Sequence, residues 1–352
     1  MTRTFQSCLQ NQAEVDEVSL FNLGDQVSYN VAAGQTIVQQ MRQQMESCSV
    51  RHQQFLRFST AGSELDEQIE AELKRGAIAA VDGTDRLSPM VFTTTSFYAA
   101  GVAWVTSQSR GTPKIHLTST TAELGLQPAE AEGLDMWQLS DAMENAGREG
   151  SWSTTFREYQ ERVCARDLPG TVETCLIDGP IFTQNLMTQD AGRDLIGELV
   201  AQKRRYIGVI KGLDGSWPIC RWAAQALQPD EVFVLCSIQE AFTQRFLKEG
   251  GSHPAAPWMQ RHAPTYVRCV YRPNLKAFAF ECALEDLPYA VALLRQDANK
   301  QKGHETPRLL QIVDAFCRHS RNSTQAKQRL LDQVRRQDRQ MAEDLSDERD
   351  SR

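Results

Sequence analysis

Two aspartates in this sequence stand at matching places. The apolar run Ala77-Ile78-Ala79-Ala80-Val81 stops at Asp82-Gly83-Thr84, and Thr174-Cys175-Leu176-Ile177 stops at Asp178-Gly179-Pro180. A short apolar run closed by a glycine turn reads as a buried strand. A carboxylate at the end of such a strand projects into the crevice at the sheet edge, and the adjacent glycine lets the backbone turn closely. Two such strands lying side by side bring their carboxylates together. Like charges that close repel unless a cation sits between them. Hard divalent ions such as Mg²⁺ or Mn²⁺ prefer such oxygen ligands. Asp-Gly is also a common turn, so either motif alone says little; the repetition after two buried strands says more.

Further candidates lie on the elements around these strands. A helix over Thr155–Glu161 offers Glu158, with Glu161 as the rival. Phe156, Tyr159 and Val163 form its inward stripe, and Glu158 flanks that stripe. Either glutamate also reads as a solvated helix charge. Lys211 ends the apolar strand Tyr206–Lys211. A lysine there can neutralise a phosphate or orient a nucleophile, or it can simply reach water. Asp297 on a late helix and His304 in the loop after it are alternative last ligands for a metal.

The rest of the chain must position these residues. Ile37, Val38, Met41 and Met45, then Phe55, Phe58, Leu65, Ile69 and Leu73, predict an interrupted helix or helical hairpin over 34–75. Ser63 can cap its second part, with Glu64, Asp66 and Glu67 in the first turn. Residues 90–106 and 114–118 predict further strands, 120–150 a loop with short helices, and 154–167 a helix. Helix is expected again over 190–204, then strands over 206–211, 232–236, 266–271 and 277–282. Residues 285–300 return to helix, and Thr306 with Pro307 opens another that runs to about 319. Strands alternate with helices, but the early strands are consecutive. That predicts an α/β fold with a mixed sheet flanked by helices. The divisions are an N-terminal helical region over 1–75 for dimerisation or partner docking, a core over 76–322, and a charged tail over 323–352.

Bulk properties exclude several classes. Hydrophobic residues make up 41% and charged residues 24% of the 352, ordinary for a globular protein. No apolar run approaches the ~18 residues of a membrane span, and Met1–Val18 has no apolar core, so neither an anchor nor a secretory signal is expected. A cytoplasmic location follows. The nine cysteines lack zinc-site spacing and read as reduced core thiols. A net charge of −7 argues against a surface that coats nucleic acid throughout. It leaves room for a local basic channel, for which the run Lys203-Arg204-Arg205 is the candidate.

In order along the chain, Val81-Asp82-Gly83-Thr84-Asp85, Glu158, Leu176-Ile177-Asp178-Gly179-Pro180 and Ile207-Gly208-Val209-Ile210-Lys211 resemble the motifs of the NurA nucleases. The resemblance spans roughly residues 70–300. It implies a ribonuclease-H-like core, Mn²⁺- or Mg²⁺-dependent cleavage of DNA, and a homodimer that docks on the hexameric ATPase HerA. Carried over, Asp82, Glu158 and Asp178 are metal ligands, and Lys211 lies near the site. Leu287-Pro288-Tyr289 matches a late Pro-Tyr segment, but its spacing leaves the last ligand open between Asp297 and His304. The implied chemistry is metal-assisted phosphodiester hydrolysis. The same residues bear on three other readings. A phosphatase of the haloacid dehalogenase type needs an aspartate at position 80, which is Ala80. An actin-like ATP-binding fold needs a glycine-rich phosphate loop beside the first strand, which is missing. A non-catalytic scaffold subunit of an ATPase complex remains, separated from the nuclease by metal binding and cleavage.

Overall fold

The computed structural model describes residues 34–47, 54–58, 64–89, 95–106, 116–123, 151–213, 218–247, 255–298, 306–321 and 336. The expectations for residues 1–33, for 124–150, for His304 and for the tail over 323–352 fall outside these, apart from Arg336.

The strands occupy Gln54–Arg57 (β1), Ile78–Pro89 (β2), Thr95–Thr106 (β3), His116–Glu123 (β4), Thr174–Asp178 (β5), Arg205–Ile210 (β6), Glu231–Ser237 (β7), Tyr266–Arg272 (β8) and Phe278–Ala283 (β9). The helices are residues 34–47 (α1), Glu64–Arg75 (α2), Ser151–Arg166 (α3), Gln184–Met187 (α4), Asp190–Val200 (α5), Pro218–Ala226 (α6), Ile238–Leu247 (α7), Ala255–His262 (α8), Leu287–Ala298 (α9) and Arg308–Arg321 (α10).

The nine strands among the described residues join one sheet in the order β1-β7-β8-β9-β6-β5-β2-β3-β4. β2, β3 and β4 form an antiparallel meander. The chain then crosses through α3 to lay β5 parallel beside β2, and through α4 and α5 to lay β6 parallel beside β5. Parallel neighbours need such crossovers, because a tight turn can join only antiparallel strands. The segment β4-β3-β2-β5-β6 is the ribonuclease-H-like mixed core. β9, β8, β7 and β1 extend it antiparallel.

The central strands are apolar throughout because helices cover both faces of the sheet. Ile78 and Ala80 of β2, Leu176 of β5, and Ile207 and Val209 of β6 face α2, α9 and α10, where Ile69, Leu293 and Leu310 meet them. The intervening residues Ala79, Val81, Cys175, Ile177 and Tyr206 face the other way, toward Ala165, Ile196, Leu199 and Trp258 of α3, α5 and α8. A third cluster joins Met45 of α1, Cys220 and Ala223 of α6, and Phe233 and Leu235 of β7. The seven described cysteines are free thiols, and all but Cys164 are buried. No helix among the described residues is long and apolar enough to cross a membrane.

The N-terminal segment departs from expectation. The helical pattern breaks at β1, a four-residue edge strand on β7. Phe55 packs with the α1–α6 cluster and its neighbour Leu56 with the opposite one, which is the alternation of a strand. Four residues are too few for periodicity to tell strand from helix. The segment before residue 76 is therefore partly built into the sheet.

One buried carboxylate fastens that segment. Glu231, whose side chain is fully buried, takes hydrogen bonds from Arg42 Nη2 at 2.9 Å, Arg57 Nη2 at 2.7 Å and the Gln228 amide at 2.7 Å, and a further one from Arg42 Nη1. Burial alone raises a carboxyl pKa, but these donors outweigh it and lower Glu231 to about 2. Its contribution is thus present above the usual carboxylate range and lost as pH falls toward 2. Glu231→Gln leaves the half-buried Arg42 with only the exposed Glu46 as a carboxylate partner. It is expected to cost about 3 kcal/mol or more in urea unfolding; a loss below about 1 kcal/mol would show that this pairing does not anchor the N-terminal segment.

Candidate functional site

The register of β2 against β5 decides where the two aspartates meet. Val81 lies beside Ile177, the last pair of the β2–β5 ladder, so Asp82 and Asp178 follow as neighbours where β5 ends; β2 itself does not stop at the expected Asp82-Gly83-Thr84 turn but runs on to Pro89, paired with β3. Both have the parity of Ile78, Ala80 and Leu176, and so start toward the same face. Asp82 is buried, 3% exposed. Its Oδ1 accepts from the Gly83 amide at 2.7 Å, and its carbonyl accepts from Cys317 Sγ of α10 at 3.3 Å. Lys211, just past β6, donates from Nζ to Asp178 Oδ2 at 2.9 Å. The structure thus brings Asp82, Asp178 and Lys211 to one sheet end.

A third carboxylate, Glu161, approaches the same stretch of β2 from the α3 side, near enough for its charge to act on Asp82 and for that of Asp178 to act on it. It is 2% exposed, and its Oε1 lies 2.7 Å from where a Cβ on Gly83 would stand. Only a glycine after Asp82 admits the glutamate this close. Arg162, buried in the same helix, donates to Glu161 Oε2 at 2.5 Å and also to the Pro180 carbonyl. Arg157 Nε lies 3.8 Å from Glu161 Oε1. Glu158 sits one turn away and accepts from Asn185 of α4 at 3.4 Å. In the sequence, Glu161 reads as the rival of Glu158, and either as a solvated helix charge. The burial of Glu161 comes from packing α3 across β2, which no local pattern discloses, and the same packing makes Arg162 a site neighbour that the sequence does not single out.

The loop after Asp178 is pinned at three points. Gly179, at φ 88°, adopts the left-handed conformation that glycine tolerates best, and its amide donates to the Val209 carbonyl at 2.8 Å. Arg162 holds the Pro180 carbonyl. The Phe182 amide donates to Glu281 Oε2 at 3.2 Å, while Glu281 Oε1 accepts from Arg268 Nε at 3.0 Å.

Asp297 has a different neighbourhood. Its buried carboxylate accepts from the Leu309 amide at 2.9 Å, satisfying a free amide in the first turn of α10. Thr306, expected to cap this helix, instead accepts from the Gln311 side chain. The end of α10 that reaches Asp82 is at Cys317, eight residues beyond Leu309, about 12 Å along a helix rising 1.5 Å per residue. Asp297 therefore stands at the far end of α10 from Asp82. Arg204 of the basic run is also committed internally. Its guanidinium donates to the carbonyls of Ala165, Leu168, Pro169 and Val172 around the end of α3. Arg205 lies over the Tyr289 ring and 3.4 Å from Asp286.

Electrostatics single out the carboxylates. Burial, then the charges of Asp178 and Glu161, push Asp82 well above the usual carboxylate range; Lys211 and the Gly83 amide oppose the shift only in part. Burial raises Glu161 to about 7 despite Arg162 and Arg157, with Asp178 and Glu158 adding to the rise. An oxygen-only donor set short of positive charge fits a hard divalent cation in its chemistry. Among the described residues, no three Asp, Glu, His or Cys side chains already converge at ligating distances. The fit is thus one of donor type and charge, and side-chain adjustment is needed to complete it.

No protein-family model and no curated protein sequence matches the chain. Among solved structures, the fold is similar to that of the NurA nuclease from Sulfolobus solfataricus, at TM-score 0.47 and 12% identity over 85% of this chain and 89% of that one. A second NurA structure gives TM-score 0.46 and 7% identity over 91% and 97%. An endonuclease V from Streptomyces avermitilis gives TM-score 0.31 and 15% identity over 74% and 93%. Likeness at these levels assigns no residue roles.

A raised carboxyl pKa has a defined sign in stability. Glu161 contributes most where it is protonated in both states, below its ordinary 4.5, and that contribution is lost as pH rises to about 7. In EDTA, the melting temperature of wild type relative to Glu161→Gln is expected to fall between pH 4.5 and 7.5. Parallel curves for the two proteins would contradict the burial of a titrating Glu161.

Proposed function

We propose that this chain is a metal-dependent deoxyribonuclease that hydrolyses phosphodiester bonds. The observation that carries the reading is the approach of Asp82, Glu161 and Asp178, from three separate elements, to the point in a ribonuclease-H-like sheet where β5 ends and its pairing with β2 stops. These three would hold the cation, Mn²⁺ or Mg²⁺, with Glu158 on the outer side of the cluster. Bound there, a divalent ion would lower the pKa of a water and neutralise charge developing on the phosphate. The chain's own part is to hold and orient. Arg162 fixes the Glu161 carboxylate from behind. The pinned loop 179–182 fixes the backbone after Asp178. Lys211 supplies a positive charge for the substrate phosphate.

The resemblance of the four motifs to those of the NurA nucleases extends the proposal. The chain works as a homodimer beside a HerA-like hexameric ATPase, in cytoplasmic DNA end processing. Residues 76–322 form the nuclease core, 1–75 contribute docking surface besides β1, and 323–352 form a charged tail. DNA is gripped through its backbone rather than read by base.

End-labelled single- and double-stranded DNA with Mn²⁺, Mg²⁺ or EDTA tests this. Wild type is expected to cut only with the divalent ion, and less as salt rises. Asp82→Asn, Glu161→Gln and Asp178→Asn should each lower the rate by about 10²-fold or more, and Glu158→Gln by less. Cutting that persists in EDTA would overturn the metal requirement. No cutting, even with the cognate ATPase present, would leave a scaffold subunit in place of a nuclease.

A further inference from the structure

Lys211 deserves a second role because of where its ammonium lies. It is 2.9 Å from Asp178 Oδ2, with both side chains about one quarter exposed, and its charge also acts on Asp82. It therefore occupies one of the two oxygens that Asp178 offers to a cation held with Asp82. A divalent ion on that carboxylate and an ammonium in hydrogen-bond contact with it would stand only about 4 Å apart and repel strongly. Lys211 follows the last residue of β6 and precedes Gly212, so its long side chain can swing outward with the strand intact.

Resting on the cation-site reading above, we propose that Lys211 is an exchangeable internal counter-ion. It neutralises Asp178 until a divalent cation binds. The cation then displaces it, and the freed ammonium becomes the contact for the DNA phosphate. Cation binding and the grip on DNA are thereby coupled: each cation bound releases one positive charge toward the substrate. The same exchange makes the cation bind more weakly than the carboxylates alone would hold it. Coupling of this kind is reciprocal, so a DNA backbone that captures Lys211 also favours the cation.

Isothermal titration with Mn²⁺ alone tests the exchange without relying on cleavage. Lys211→Met, checked for an unchanged far-UV circular dichroism spectrum, is expected to bind Mn²⁺ about 10-fold more tightly than wild type. Lys211→Arg, which keeps the positive charge, should stay close to wild type. Asp178→Asn should lose most of the binding. Equal or weaker binding by Lys211→Met would overturn the exchange while leaving the cation site standing. Failure of both wild type and Lys211→Met to bind Mn²⁺, or an Asp178→Asn variant that binds as well as wild type, would overturn the cation site itself and the exchange with it. Should Lys211→Met fold poorly, Lys211→Gln reports the same comparison.

Discussion

Asp82, Glu161 and Asp178 repel one another in a place largely closed to water, and the surrounding structure is arranged to hold them there. Separated, each would be an ordinary solvated carboxylate. Burial first, and then the neighbouring carboxylates, raise the affinity of Asp82 and Glu161 for protons, which is the electrostatic equivalent of a demand for positive charge. The protein meets part of that demand with its own cations: Lys211 at Asp178, Arg162 and Arg157 at Glu161. Acidic groups clustered against burial and like charge cost stability and persist where they do chemistry. That is the physical basis for reading this strand end as the working site.

The fold supplies the rigidity that such a cluster needs. Two adjacent parallel strands set the spacing of the aspartates through their register. α3 crosses close enough for Glu161 to lie on Gly83, and α10 closes over the Asp82 carbonyl. A second layer of buried ion pairs fixes this frame. Glu281 with Arg268 steadies the loop after Asp178, and Glu231 with Arg42 and Arg57 fastens the N-terminal segment to the far part of the sheet. Breaking such pairs one partner at a time strands a buried charge, so they specify the arrangement even where their net contribution is small.

Much of the frame was legible in the sequence because buried strands announce themselves as short apolar runs stopped by glycine. β2, β5 and β6 were all visible that way, and so was Asp178 at the end of β5; β2, by contrast, runs past Asp82 and Gly83 to Pro89 because β3 continues to pair with it. The mixed sheet followed from consecutive early strands. What lay beyond reach was tertiary. β1 is too short to show a period, and its apolar residues fit an interrupted helix as well as a strand. On α3, Glu158 and Glu161 are one turn apart, and only the crossing of that helix over Gly83 distinguishes the buried one from the one that meets Asn185. Asp297 looked free for a metal because its partner, the amide of Leu309, lies in the next helix. The basic run at 203–205 looked like a nucleic-acid contact, yet Arg204 closes the end of α3 instead.

The central claim is that the three carboxylates together hold a divalent cation. Anomalous diffraction from crystals grown with Mn²⁺ tests it most directly, since it locates the metal without reference to activity. The expected result is an Mn²⁺ peak beside Asp82, Glu161 and Asp178, with Lys211 turned away. A peak held by other residues, or no peak at this strand end at millimolar Mn²⁺, would contradict it.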